Sequence, residues 1–233
     1  MISFESVGVV ASRDGNQPGR VLLADISLDL AEHRVCFIGA NGSGKSTLLR
    51  LINGIRQPTT GRIVVDGVDV ATEPRTVRSR VGFIFTDPLA QLLMSTPIED
   101  IELSLRASVR KRGERREHAE RLLREQGLGH LAHQSIYDLS GGERQLVALA
   151  SVLAVDPAIV VADEPTTLLD LRNQLLIRER FANLPQQLIW STHDMRMAGD
   201  ADRVIVLDKG RIVADDAPAP AIAAYESSLG ISS

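Results

Sequence analysis

Nine consecutive residues, Gly39-Ala40-Asn41-Gly42-Ser43-Gly44-Lys45-Ser46-Thr47, constrain this chain more than any other stretch of it. They fit the pattern G-x-x-x-x-G-K-[ST]. The apolar run from Arg34 to Ile38 precedes them and the helical spacing of Ser46 to Ile55 follows, so the segment predicts a strand, a glycine-rich turn and a helix in that order. Such a turn aims successive backbone N–H groups at one point at a helix N-terminus, where the partial positive charge favours an anion. Gly42 and Gly44 let the phosphates of a nucleotide approach without meeting a Cβ, Lys45 reaches the β- and γ-phosphates, and the Ser46 hydroxyl suits Mg²⁺. At average residue frequencies a chain of this length matches the pattern by chance about one time in a hundred.

The rest of the chain is ordinary for a folded domain that carries such a loop. Its 233 residues are 44% hydrophobic and 24% charged, which excludes collagen-like, low-complexity and wholly disordered classes. Twenty-six basic against 30 acidic residues leave a formal charge of -4, and only five Phe, two Tyr and one Trp are present. No broad basic face or set of stacking aromatics is available, so nucleic acid is not expected as a partner. The longest run free of Asp, Glu, Lys and Arg is Phe181 to His193, 13 residues, short of the roughly 18 to 20 that a spanning helix needs. The start, Met1-Ile2-Ser3-Phe4-Glu5, lacks the basic-then-apolar order of a secretory signal, and Cys36 is the only cysteine. A cytoplasmic protein with Cys36 packed as a small hydrophobe is the expectation.

Residues 1 to 30 alternate apolar and polar positions around a polar stretch from Ser12 to Arg20, as antiparallel strands joined by a loop do. Asp66-Gly67 between β-branched runs signals a hairpin, and Val81 to Phe85 reads as a strand. From Pro97 to Gly127 the period changes to 3.6, a helical insertion; the eight basic and four acidic residues from Arg106 to Glu125 read as its solvated face. Strand-like runs return at Ala158 to Ala162, Leu188 to Ser191 and Val204 to Leu207, alternating with helical stretches, the pattern of a parallel sheet with crossover helices. Trp190 falls on one of those strands and reads as packing. His130 and His133 have no Cys or carboxylate beside them to complete a metal site.

Two further segments carry chemistry. Ala158 to Ala162 is an apolar strand ending in Asp163-Glu164, followed by Pro165. Asp163 there reaches the Mg²⁺ of an adjacent phosphate loop, and Glu164 orients or deprotonates an attacking water, the Walker B arrangement. Leu139-Ser140-Gly141-Gly142-Glu143-Arg144-Gln145 opens an apolar helix with Ser140 at the N-cap and Glu143 completing a capping box, which leaves two glycines unexplained. In combination the three segments resemble ATP-binding cassette ATPases, and the resemblance spans Ile2 to about Ala214.

That resemblance implies an α/β fold of the P-loop NTPase class: a RecA-like mixed sheet with flanking helices, an antiparallel β subdomain and an inserted helical subdomain. It divides the single cassette into residues 1–85, 86–155 and 156–233. It implies ATP and Mg²⁺ as cofactors, with Gly39, Ala40, Asn41, Gly42, Ser43, Gly44, Lys45, Ser46 and Thr47 around the phosphates. Ser140, Gly141, Gly142 and Glu143 match the family signature, which contacts the γ-phosphate of nucleotide held by a second subunit. Asp170, closing Thr167-Leu168-Leu169-Asp170, matches the loop that crosses between subunits. His193, 30 positions after Asp163, matches the switch histidine and joins Glu164 as a catalytic candidate.

Two positions depart from the family. The glutamine that normally follows the strand Gly82-Phe83-Ile84-Phe85 is Thr86, which offers Mg²⁺ or the water a hydroxyl of shorter reach; Gln91 is the nearest glutamine. No aromatic stands near Val7 to Arg13 to stack on adenine, and Arg13 is the available substitute.

A small-molecule kinase has no use for the signature. A DNA-repair cassette carries a long coiled coil before it and a translation cassette is doubled, whereas here Lys45 and Leu139 are 94 positions apart in one cassette. A transporter ATPase at the cytoplasmic face of the membrane is therefore expected, paired with a like or sister ATPase and bound through its helical subdomain to integral membrane subunits. The contact is expected in a groove beside Thr86 to Thr96 that includes Leu92 and Ile98. Within transporters, Phe85-Thr86-Asp87-Pro88 with Gln91, followed by Pro97-Ile98-Glu99-Asp100-Ile101, resembles the energy-coupling-factor ATPases that serve vitamin and transition-metal importers. The form with Thr86 is most similar to the ATPases of biotin importers.

Overall fold

The computed structural model describes residues 1–11 and 19–230. Strands β1 (Ile2–Ala11) and β2 (Arg20–Leu30) pair antiparallel, with Ile2 opposite Leu30 and Phe4 opposite Leu28. On its other side β1 pairs with β4 (Thr60–Val65), and β4 turns back into β5 (Val68–Asp69). Asp66 and Gly67 both have positive φ, 47° and 78°, as the tight hairpin expected there demands.

The second sheet has six strands in the order β10-β9-β3-β8-β7-β6. β3 (Arg34–Ile38), β6 (Val81–Ile84), β7 (Ile159–Asp163), β8 (Gln187–Ser191) and β9 (Arg203–Asp208) are parallel, and β10 (Arg211–Asp216) adds an antiparallel edge. Every residue of β3 and β7 is buried, because both faces of this parallel sheet are covered, one by helices and the other by a helix and the antiparallel sheet. Neighbours along each strand enter opposite cores. Val35, Phe37, Ile159, Val161 and Ile189 pack with β1, β2 and α1 (Lys45–Ile52). Cys36, Ile38, Val160, Ala162 and Trp190 pack with the helices on the other face. Burial there pushes the Cys36 thiol well above its ordinary pKa, so it is a packing residue and not a nucleophile.

The remaining helices are α2 (Pro74–Arg80), α3 (Pro97–Ser104), α4 (Arg112–Glu125), α5 (Gly141–Leu153), α6 (Leu171–Ala182), α7 (Met195–Ala198) and α8 (Pro218–Ser228). The insertion read from Pro97 to Gly127 is α3 and α4 joined through a 3-10 turn, Leu105–Ala107. Its charged residues pair along the exposed face, as Glu120 does with Arg116 and Arg124 at 3.8 and 3.9 Å. In an open parallel sheet a ligand belongs beyond the carboxyl ends of the strands. The turn after β3, the acids ending β7, Thr86 after β6 and His193 after β8 all emerge at that edge.

Candidate functional site

The turn after β3 is held shut by contacts that only glycine permits at its first position. Gly39 has φ 143°, and a Cβ there would sit 2.1 Å from the Leu207 carbonyl oxygen. The loop then feeds α1 with its first-turn N–H groups free of side-chain caps, the arrangement that receives an anion. Lys45 is buried, and its Nζ donates to the carbonyls of Gly39 at 2.7 Å and Ala40 at 3.3 Å. The same nitrogen lies 3.7 Å from Glu164 Oε1.

Strand order brings the second half of the site to this loop across more than a hundred residues. Ser46 Oγ donates to Asp163 Oδ1 at 2.8 Å, and Ser191 Oγ donates to the same oxygen at 2.8 Å. Arg50 Nη2 lies 3.7 Å from Asp163 Oδ2. The next residue, Glu164, adopts φ 50°, a left-handed conformation that costs a residue with a Cβ about 1–3 kcal/mol and persists only where surroundings fix it. Here its N–H donates to the Ser191 carbonyl at 3.2 Å and to Ser191 Oγ at 3.0 Å. The turn aims its carboxylate back over the loop, where Oε2 accepts from Thr167 Oγ1 at 2.7 Å and faces His193 Nδ1 at 2.6 Å.

These groups line one cavity of about 800 Å³ that includes Gly39, Ala40, Asn41, Gly42, Gly44, Lys45, Ser46, Thr47, Thr86, Glu164 and His193. Ser43 is buried beneath it and Asp163 is reached through Ser46. A hydroxyl and a carboxylate, both hard oxygen donors beside a phosphate loop, fit Mg²⁺. Thr86 also faces the cavity, but its Oγ1 donates to the Asp163 carbonyl at 2.8 Å, tying the end of β6 to the end of β7.

Ser140, Gly141, Gly142, Glu143 and Asp170 lie elsewhere: none lines the cavity. Ser140 and Glu143 form the expected reciprocal cap, Glu143 N–H to Ser140 Oγ at 3.3 Å and Ser140 N–H to Glu143 Oε2 at 2.8 Å. Ser140 also donates from Oγ to Glu143 Oε2, and these bonds hold the Glu143 carboxyl below its ordinary pKa. Gly142 has a reason within the chain: a Cβ would stand 2.1 Å from Asn173 Cγ. Asn173 belongs to α6, whose N-cap Asp170 accepts from the Asn173 N–H at 2.9 Å. The signature and the Asp170 loop are thus packed together, whereas a Cβ on Gly141 would find ordinary room, 3.7 Å from the nearest atom.

Among the described residues, sequence reasoning missed four that line the cavity, Arg20, Leu22, Thr167 and Tyr225. Thr167 follows the acids closely enough to have been suspected. Arg20 at the start of β2 and Tyr225 on α8 carry no local signal, since only the packing of those elements brings them to the loop. Arg20 Nη2 lies 3.9 Å from where a Cβ on Gly42 would be. Arg13 and most of the loop expected from Ser12 to Arg20 lie outside the described residues.

The chain fits the ABC transporter family model over residues 23–167. It belongs to the ABC transporter family. It is an ATPase of the ATP-binding cassette type, with the RecA-like mixed sheet of that class. It is 42% identical over 224 residues to the biotin transport ATP-binding protein BioM of Rhizobium etli, covering 96% of this chain and 97% of that one. To the energy-coupling factor transporter ATP-binding protein EcfA1 of Halalkalibacterium halodurans it is 36% identical over 200 residues, 84% of this chain and 72% of that one. Among solved structures, the cassette MJ0796 in a dimeric post-hydrolysis state bound to ADP and Pi superposes with a TM-score of 0.84 at 29% identity, covering 94% and 99% of the two chains. CbiO1 of Clostridium perfringens, part of the ABC transporter complex CbiONQ, gives 0.80 at 28% identity, covering 99% and 93%.

One expectation about the cassette's helical part is corrected. Leu92 and Ile98 are 5% and 1% exposed and belong to the core; the irregular turn after β6 gave no period from which to read their direction. A groove of about 390 Å³ does lie beside that turn, but Ile55, Phe85, Gln91, Leu93, Leu103 and Val155 are among its walls. Asp100 shapes it by accepting from the Leu93 and Met94 N–H groups at 2.9 and 3.1 Å, and burial pushes its carboxyl above the ordinary range.

Proposed function

We propose that this chain is the ATP-hydrolysing subunit of a membrane importer, that two cassettes close around ATP, and that closure drives uptake of a vitamin, biotin foremost. The observation that carries the reading is the separation of one complete set of parts. The phosphate loop, the Asp163–Ser46 pair and the Glu164–His193 pair meet at one cavity, while the signature and Asp170 form a second cluster that does not line it. A monomer can bind nucleotide, but its signature meets a phosphate only on a second cassette, either a copy of this chain or a sister subunit.

In this reading Gly39 through Thr47 bind the phosphates, and Ser46 and Asp163 hold Mg²⁺, with Thr86 fixing the end of the Asp163 strand. Mg²⁺ supplies charge neutralisation at the β- and γ-phosphates. Glu164, fixed by its backbone bonds to Ser191, accepts the proton of the attacking water and orients its oxygen in line. His193 bridges Glu164 and the γ-phosphate, and reports its loss. Ser140, Gly141, Gly142 and Glu143 present N–H groups and a hydroxyl to the partner's nucleotide, and Asp170 crosses between the two cassettes.

The chain then divides into residues 1–85, 86–155 and 156–233, with the middle segment reaching the membrane subunits. Among the described residues no helix is long and apolar enough to cross a membrane. The groove with its exposed Leu93 and half-exposed Ile55, Leu103 and Val155 suits the apolar face of a short helix. Such a contact holds the protein at the cytoplasmic face as a peripheral subunit. Biotin is favoured by the name and 42% identity of BioM; solute selection itself falls to the membrane partner.

The test is a detergent pull-down of tagged full-length protein from membrane and soluble fractions of its host, with uptake of labelled biotin measured when the gene is disrupted. Co-purification of an integral membrane protein and lost biotin uptake are expected, and Leu93→Glu should weaken the association without affecting ATP binding. Recovery only from the soluble fraction, with DNA or ribosomes, would replace the transporter with a soluble cassette ATPase of repair or translation. A membrane partner with unaffected biotin uptake would overturn the solute alone.

A further inference from the structure

The position where the family carries its glutamine holds Thr86, yet a glutamine five residues later makes two contacts that no motif assigns. Gln91 follows the 3-10 turn Pro88–Ala90. Its Oε1 accepts from the Phe85 N–H at 3.2 Å and its Nε2 donates to the Ala148 carbonyl at 3.0 Å. Phe85 is the residue beyond β6 and the one before Thr86, whose hydroxyl binds the Asp163 carbonyl. Ala148 lies two turns into α5, the helix that begins at the signature cap. One amide therefore joins the strand end that supports the catalytic acids to the helix that presents the signature.

The same side chain forms part of the groove wall and none of the nucleotide cavity. Strand and helix already meet closely there, since a Cβ on Gly82 would lie 2.3 Å from Val152 Cγ1, so a small shift of α5 against β6 has little slack to absorb it. A neutral amide accepts at its oxygen and donates at its nitrogen at once, as these two bonds require.

We infer that Gln91 is a positioning residue for ATP hydrolysis: it sets the signature helix in register with the Thr86–Asp163 edge. The inference rests on the paired-cassette reading above. A displaced signature leaves nucleotide binding by the single chain intact and spoils the closed pair. A misplacement of about 1 Å in a catalytic constellation costs on the order of a hundredfold in rate, and loss of one of several supports should cost about a tenth of that.

The experiment uses the full chain with Gln91→Met, which keeps length and removes both bonds, and Gln91→Glu, which keeps the acceptor for Phe85 and removes the donor to Ala148. Three quantities are read: kcat, affinity of the chain for a fluorescent ATP analogue, and, in a Glu164→Gln background, the ATP concentration giving half-maximal dimer. Both variants should melt cooperatively and bind the analogue within about twofold of wild type, because Gln91 does not touch the cavity. For both, kcat should fall about tenfold and the half-dimer concentration should rise about tenfold. Unchanged kcat and dimerisation in both variants would overturn the inference, and so would a fall in nucleotide affinity that accounts for the whole loss. If Gln91→Met does not fold, Gln91→Glu decides. If Glu164→Gln with native Gln91 fails to dimerise in saturating ATP, the paired-cassette reading fails, and kcat still judges Gln91.

Discussion

Replacing Gly142 with Ala tests why the signature contains its second glycine. Gly142 is the second residue of α5, a helix start where alanine is intrinsically better by about 1 kcal/mol. The added methyl, however, would sit 2.1, 2.3 and 2.5 Å from Asn173 Cγ, Oδ1 and Nδ2, more than about 1 Å inside ordinary van der Waals contact. Overpacking of that kind costs about 1–3 kcal/mol, so the net loss of stability is about 0–2 kcal/mol and the melting temperature falls by no more than about 8 °C. Turnover should suffer far more. Relief of the clash turns the Asn173 side chain about its Cα–Cβ bond and crowds its neighbours, or moves α5, and a shift of α5 of about 1 Å lowers kcat on the order of a hundredfold. Neither residue lines the nucleotide cavity, so ATP affinity of the single chain should stay within about twofold. All three crowded atoms lie beyond Cβ of Asn173, which makes Gly142→Ala/Asn173→Ala the decisive variant: it should regain most of the lost turnover, with Asn173→Ala alone close to wild type. ATPase assays on the four proteins, with melting curves, measure this. A double variant as slow as Gly142→Ala would refute the packing argument and show that the glycine serves something approaching from outside the chain.

Lys45→Ala removes the cation that the proposed mechanism sets against the β- and γ-phosphates and should lower ATP turnover at least about a hundredfold; near-normal hydrolysis would dismiss the cavity as the nucleotide site. Thr86→Val breaks the 2.8 Å bond to the Asp163 carbonyl, worth about 1 kcal/mol. It should slow turnover roughly fivefold with little change in nucleotide affinity, and equal rates in assay would make Thr86 a spacer. Arg20→Ala should raise the dissociation constant for ATP about fivefold, as loss of one exposed charged contact implies, with Arg20→Lys recovering most of it; titration with a fluorescent analogue decides.

The phosphate loop, the acids at the end of β7 and the alternation of strands with crossover helices were all legible in the sequence. Each is a local matter: a glycine pattern sets a turn, a continuous apolar run sets a buried strand, and Ser140 with Glu143 caps a helix from three residues away. The capping box, the Asp66–Gly67 hairpin and the strand Arg34–Ile38 accordingly appear where expected. Tertiary structure alone decided what meets across the fold. Ser46 finds Asp163 because β8 and not β7 is the neighbour of β3, and Ser191 on that intervening strand fixes Glu164 in its left-handed turn. The same dependence hid Asn173 behind Gly142, turned Leu92 and Ile98 into the core, and carried Gln91 to both Phe85 and Ala148. Arg20 and Tyr225 reached the cavity by the same route. Sequence spacing carries the conformation of a segment, whereas these contacts are set by strand order and by how tightly one element packs on another, which no single segment encodes.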